Sequence, residues 1–248
     1  MITVLCSRGI GEGLRENMLS NVTKHLDPAR FRAREVPWSA SYGPVPEPLG
    51  TSYNASLAAG RGLLFKMIAD DPYPVILLGY SGGAALAGNV AAGMWQRPDL
   101  DVRGVGLISD PLRPSDQWDE MEWGIAGART ISSRRFPKWW LADPSDVITS
   151  CPANSPLRTL ADQSSAFSLV DPRAWSWDMV QRLRQQRFQA TIRDWRNVPE
   201  VWRAYSQAID GAQGYLFGSA HTSYATRIYR DGLTYTEWLA ARINDIRE

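Results

Sequence analysis

Apolar and polar residues fall along this chain in blocks. Residues 75–80 (VILLGY) are an unbroken apolar run, the pattern of a strand buried on both faces of a mainly parallel sheet. Residues 2–6 (ITVLC), 31–38 (FRAREVPW), 102–109 (VRGVGLIS) and 138–142 (KWWLA) are further β-prone runs bounded by Gly, Pro, Asp or Ser. Helical spacing appears between them. In residues 54–69, Leu57, Leu64, Met67 and Ile68 share one face, and Pro72 stands beyond the end. Helices are also expected over residues 14–26, from residue 82 to about 95, over 155–169, and over 234–246 at the end of the chain. Loops rich in Pro, Gly or Trp cover 37–50 and 117–128, and 143–150 (DPSDVITS) is an exit loop.

Strands alternating with helices predict an α/β fold with a largely parallel sheet. Residues 171–212 break the alternation: they hold no good strand and read as several helices. They are expected to form a helical insertion inside a single domain spanning 1–248. Within it, the segment from Arg182 to Arg196 carries five arginines (Arg182, Arg184, Arg187, Arg193 and Arg196) and one acid, Asp194. That stretch fits a solvated helix face, or a surface turned toward an anionic polymer.

The apolar run at 75–80 ends in Gly79-Tyr80-Ser81-Gly82-Gly83, a G-x-S-x-G pattern between a strand and a helix. In such a tight turn, side chains two residues before and after the serine would collide with neighbouring backbone. The turn pushes the hydroxyl out at the C-terminal edge of the sheet, where the first helical turn directs N–H groups. A serine hydroxyl is a weak nucleophile and needs a base. The chain has two histidines. His25 lies in the first expected helix, before any strand end near Ser81, and suits a surface or capping role. His221 lies in a late Gly/Ser loop and satisfies the order serine, acid, histidine.

An acid is needed to orient that imidazole. Asp110 follows the strand after the nucleophile; Asp143 and Asp146 follow the next one. Asp143 precedes a proline and suits a turn cap. Asp146 lies deeper in the loop and is the residue selected. The oxyanion requires two N–H donors. Gly82 supplies one, and the backbone amide of Ile10, in the glycine-rich loop after the first strand, is the candidate for the other.

Composition narrows the picture further. The net charge of the 248 residues is +1, which gives no reason to expect nucleic-acid capture. No apolar run is long enough for a membrane span, and the start has no signal-peptide pattern. Cys6 and Cys151, the two cysteines, have no metal-ligand spacing. They are either buried free thiols or one long-range disulfide. No metal or organic cofactor is called for. Eleven tryptophans suit aromatic core packing, or surfaces facing alkyl chains or sugars. Trp118, Trp123, Trp139, Trp140, Trp175 and Trp177 flank the expected site loops or lie in the insertion.

Several longer phrases carry a family resemblance. RGIGEG after the first strand, GYSGG, and a late DVI…C followed by His resemble the cutinase-like serine esterases. GLISDPLRPSDQ, WGIAGARTI, FPKWWLADPSDVITSCPANSPLRTLAD and GSAHTSYA are similar to the lysin B proteins of phages that infect mycobacteria. The likeness runs from residue 2 to about 245 and includes the stretch before His221, which in that family forms a linker over the active site. It implies an α/β-hydrolase fold with Ser81, Asp146 and His221 as a triad. The implied reaction is hydrolysis of the ester joining mycolic acids to arabinogalactan. It also implies synthesis in a host bacterial cytoplasm and action at the envelope during lysis. Cutinases often carry Ser or Thr where this chain has Ile10, so a hydroxyl donor to the oxyanion is missing here. The alternatives are a general lipase or cutinase, and a wall-binding protein on a hydrolase scaffold. Oligomeric state is not legible.

Overall fold

The computed structural model describes residues 1–43, 46–47, 49–115, 122–158, 161 and 219–247. Its centre is a parallel five-stranded sheet built from β1 (Ile2–Ser7), β2 (Phe31–Glu35), β3 (Val75–Tyr80), β4 (Val102–Ile108) and β6 (Lys138–Leu141), in the order β2-β1-β3-β4-β6. β1 and β3 are buried at every position, as the unbroken apolar run at 75–80 requires.

Successive side chains of a strand point to opposite faces, so each strand feeds two cores. Leu5, Leu77, Val105 and Leu107 point into one, beneath α2 (Tyr53–Asp70) and α3 (Gly82–Ala92). Val4, Cys6, Ile76, Leu78 and Ile108 point into the other, beneath α1 (Ser20–Thr23) and α4 (Tyr235–Asn244). Tyr53, Ser56, Gly60, Leu64 and Ile68 form the buried stripe of α2; Leu57 and Met67 pack at its margins. The stripe's spacing of three or four residues is that of one helix face. The small residues of α3 bring its backbone close to the sheet.

The strand order reverses between β1 and β3. The chain steps from β1 outward to β2, then returns to the other side of β1 for β3. Such a switch point opens a crevice beyond the carboxyl ends of the strands. The loop bearing Ile10 leaves β1 there, and Ser81 leaves β3 beside it.

Three expectations about elements change. The helix expected over 14–26 is a single turn, Ser20–Thr23. Polar side chains capture the backbone before it: Asn17 Oδ1 accepts from the N–H groups of Leu19 and Ser20, and a Glu12 carboxylate oxygen accepts from Met18 N–H at 2.9 Å. Gly11 and Glu16 have left-handed φ values of 75° and 55°, which no helix tolerates. Second, the described part of the expected loop at 117–128 begins with a short strand, β5 (Glu122–Trp123), which pairs antiparallel with β7 (Cys151–Pro152) directly after the loop at 143–150; residues 117–121 lie outside the described residues. Third, a hairpin of β8 (Ile228–Arg230) and β9 (Leu233–Thr234) precedes α4. Asp231 and Gly232, both at positive φ, make its turn, and Thr234 with Glu237 forms a capping box on α4.

Most of the expected helix at 155–169 lies outside the described residues, and the insertion at 171–212 with its arginine-rich stretch lies wholly outside them, as do Trp118, Trp175 and Trp177. Cys6 and Cys151 are both free and buried. Burial, and then the nearby Glu35 charge, push the Cys6 thiol far up. No helix among the described residues is long and apolar enough to cross a membrane.

Candidate active site

Ser81 sits between β3 and α3 at φ 53°, ψ −120°, a backbone region that costs a non-glycine residue about 1–3 kcal/mol. Two glycines make the turn possible. A methyl on Gly79 would stand 2.5 Å from Cα of Ala84, and one on Gly83 would collide with the Ser7 carbonyl. Ser81 is the N-cap residue of α3, yet its side chain makes no cap hydrogen bond. Its Oγ instead lies 3.0 Å from Nε2 of His221.

His221 comes from a loop packed across the C-terminal edge of the sheet. Its ring stacks on Tyr80, the last residue of β3, with centroids 5.3 Å apart. The Tyr80 hydroxyl donates to the His221 carbonyl at 2.7 Å. The ring's other nitrogen, Nδ1, lies 3.1 and 3.2 Å from the two carboxylate oxygens of Asp146. The structure thus brings Ser81, His221 and Asp146 into one hydrogen-bonded line.

The three aspartates considered from the sequence have distinct surroundings. Asp110 is buried against Arg129 and accepts from the indole N–H of Trp140 at 3.0 Å and from Leu112 N–H at 3.0 Å. Asp143 pairs with Arg227 and accepts from Ser145 N–H at 2.8 Å, a turn-capping role. Among the three, Asp146 is the one in contact with the imidazole. Burial by itself raises its pKa. Hydrogen bonds from His221, Ser109 and Tyr224, with the imidazole charge, outweigh that and hold the carboxyl below its ordinary value.

Two of these partners were not foreseen. Ser109 follows β4, is buried, and has φ 51°. Its hydroxyl donates to Asp146 Oδ2 at 2.5 Å and lies 3.1 Å from His221 Nδ1. Tyr224, three residues after His221, donates to the same Oδ2 at 2.7 Å and accepts from Asp143 N–H at 3.2 Å. Burial, and then the Asp146 charge, push its phenol well above the ordinary value, so it stays a donor.

On the far side of Ser81, the loop after β1 lies directly over the start of α3. A methyl added to Gly82 would be 2.8 Å from Cγ1 of Ile10. Glu12 braces that loop by accepting from Gly9 N–H at 2.7 Å and from Met18 N–H, while Arg8 Nε donates to the Glu12 carbonyl at 2.7 Å. Ile10 and Gly82 therefore adjoin at the serine's edge of the sheet. The described tryptophans near the site serve packing. Trp140 braces Asp110, Trp139 packs into the α1/α4 core, and the Arg158 guanidinium lies 4.1 Å over the Trp123 ring. Exposed His25 uses its carbonyl to accept from Asn244 Nδ2 at 3.0 Å, far along the chain from this line. Among the described residues no three His, Cys, Asp or Glu side chains are grouped so as to hold a metal ion.

Chemically, the line has a hydroxyl with a ring nitrogen in proton-transfer range, and a carboxylate ready to stabilise the resulting imidazolium. No protein-family model and no curated protein matches the sequence. Among solved structures, the chain is similar to lysin B from mycobacteriophage D29. That match has a TM-score of 0.55 at 15% identity and covers 98% of this chain and 97% of that one. A cutinase-like protein from Cryptococcus sp. matches with a TM-score of 0.40 at 15% identity, over 77% of this chain and 97% of that one. The lysin B likeness, together with the sheet order and the strand–serine–helix turn, gives this chain the α/β-hydrolase fold.

Proposed function

We propose that this protein is a serine ester hydrolase of lysin B type, cleaving the ester that joins mycolic acids to arabinogalactan. The observation that carries the hydrolase reading is the Ser81 Oγ to His221 Nε2 distance of 3.0 Å at a strained turn that frees the hydroxyl from capping. His221 takes the Ser81 proton as Oγ attacks the ester carbonyl, and Asp146 stabilises the imidazolium that forms. The amides of Gly82 and Ile10 hold the developing oxyanion. His221 then returns the proton to the departing sugar oxygen. Water, deprotonated by the same ring, releases the acid and restores Ser81. The mycolate reading rests on the lysin B resemblance of the DPLRP and CPANSPLRTLAD phrases, supported by a fold likeness that spans both chains. On this reading the protein acts at the host envelope.

The test is side-by-side incubation of wild type and Ser81→Ala with a short-chain nitrophenyl ester and with isolated mycolyl-arabinogalactan. Wild type should turn over the first and release free mycolic acid from the second. Ser81→Ala should lose on the order of 10⁶ in kcat with an unchanged circular dichroism spectrum. Turnover of the nitrophenyl ester without mycolate release would reject the substrate assignment and leave a general esterase. No turnover of either would reject catalysis altogether.

A further inference from the structure

The surroundings of Asp146 contain more donors than a simple acid–imidazole pair needs. Oδ2 accepts from Ser109 Oγ at 2.5 Å and Tyr224 OH at 2.7 Å; Oδ1 accepts from Ile148 N–H at 3.1 Å; His221 Nδ1 lies within 3.2 Å of both. An ionised carboxylate accepts at about four positions and donates at none. Those positions are filled here. All of this happens out of water, since Ser109 and Tyr224 are wholly buried and Asp146 is 1% exposed.

Ser109 has one proton, and an anionic acceptor at 2.5 Å takes it. Its oxygen then faces His221 Nδ1, 3.1 Å away, with lone pairs only. Nδ1 is left with three neighbouring oxygens, all acceptors: Oδ1, Oδ2 and Ser109 Oγ. A proton on Nδ1 satisfies this arrangement, and a bare Nδ1 would place lone pair against lone pair. The other nitrogen, Nε2, is then the acceptor that faces Ser81 Oγ.

We propose that Ser109 and Tyr224 are positioning residues that hold Asp146 as a fully bonded carboxylate and, through Ser109, fix the ring proton of His221 on Nδ1. Tyr224 also ties the histidine loop to the acid loop, because its oxygen accepts from Asp143 N–H while its proton goes to Asp146. Its ring is clamped edge-on between Tyr80 and Tyr235, so the hydroxyl is delivered by a rigid support. The left-handed backbone of Ser109 directs its short side chain back toward the acid, and its N–H is anchored on the Leu141 carbonyl at 3.0 Å.

The kinetic part of this proposal rests on the ester-hydrolase reading; its structural part does not. The experiment therefore has two arms. In the first, ¹⁵N NMR reports the His221 tautomer and ¹³C NMR the titration of the Asp146 carboxyl, without substrate, in wild type, Ser109→Ala, Ser109→Gly and Tyr224→Phe. Glycine relieves the φ strain and alanine keeps it, so an effect common to both belongs to the hydroxyl. The Nδ1–H form should dominate in wild type. Both Ser109 variants should show a measurable Nε2–H fraction, and all three variants should titrate Asp146 at higher pH. In the second arm, kcat on a nitrophenyl ester should fall roughly 10- to 100-fold per hydroxyl removed, the scale of one hydrogen bond to a charged group. KM should stay within about twofold, and the acid limb of the pH–rate profile should move upward. Unchanged tautomer and Asp146 titration in the variants would overturn the proposal, whatever the kinetics. The expected spectra in a protein inert to esters would uphold it and sink the esterase reading instead.

Discussion

Asp110 and Asp146 are near twins by position. Each lies just beyond the end of a neighbouring strand of the sheet, β4 and β6, and each is about 1% exposed. Their partners separate them. Asp110 is met by Arg129, a side chain that never gives up its proton, with the Trp140 indole and Leu112 N–H completing the set. Arg129 reaches across to the Ala85 carbonyl and Asn89 of α3, so this pair ties the helix behind Ser81 to the β4 loop. Asp146 is met by an imidazole, which can take and return a proton, and by two hydroxyls. Burial and strand-end position alone do not distinguish an acid that serves chemistry from one that serves packing. The titratability of the group it faces does.

The comparison makes crossed predictions, and the largest is kinetic. Asp146→Asn should cost roughly 10⁴ in kcat, because an amide in that place no longer holds the required tautomer. Asp110→Asn should leave kcat per folded molecule close to wild type in the same nitrophenyl ester assay. If Asp110→Asn proves the damaging change and Asp146→Asn does not, the assignment of roles is reversed. The second prediction concerns stability. Asp110→Asn leaves a buried guanidinium without its counter-charge, and the Arg129 Nε has no hydrogen-bond partner among the described residues. Losing one member of a buried ion pair costs about 3–5 kcal/mol, measured as a drop in the denaturant midpoint at unchanged m-value. A loss below about 1 kcal/mol would mean that the pair contributes little to holding α3.

How much of this was legible beforehand follows from the same contrast. Ser81 was readable because steric demand writes glycine at 79 and 83, and His221 because one of two histidines stands in the right order. Asp146 needed a choice among three aspartates, which the sequence could narrow but geometry alone could separate. Ser109 and Tyr224 carried no signal. Hydroxyl residues are common, and these matter only because a left-handed backbone at 109 and a short turn after 221 aim them at one carboxylate oxygen. The single-turn α1 is shorter than the helix expected over 14–26 for a related reason. Asn17 and Glu12 offer the backbone competing acceptors. The β8–β9 hairpin did leave a mark, Asp231-Gly232, a dipeptide suited to two consecutive positive φ values.

The smallest expected effect sharpens the comparison through pH. In the folded protein the Asp146 carboxyl titrates below its ordinary value: burial opposes ionisation, but the bonds from His221, Ser109 and Tyr224 outweigh it. In the unfolded chain it titrates near 3.9. As pH falls past that value, the unfolded state takes up the proton first and is favoured by it. The stabilisation from Asp146 is therefore complete above about pH 4 and fades as pH drops through the folded value. Asp71 is also held low, by Thr3, Tyr73 N–H and the two arginines Arg34 and Arg32 against a burial penalty, so the wild-type acid transition alone does not isolate one residue. The informative quantity is the stability difference between wild type and Asp146→Asn, followed by chemical denaturation from about pH 5 to pH 3, below the range in which an ordinary histidine titrates, so that a change in the imidazole beside Asp146 does not enter. It should be constant down to about pH 4 and shrink below it. For Asp71→Asn, a second low-titrating acid far from His221, the difference should shrink in the same direction while kcat at neutral pH stays at the wild-type value. A wild-type minus Asp146→Asn difference that grows with acidity would mean that the carboxyl is protonated in the folded state, and the line from Ser81 through His221 would then lack its anion.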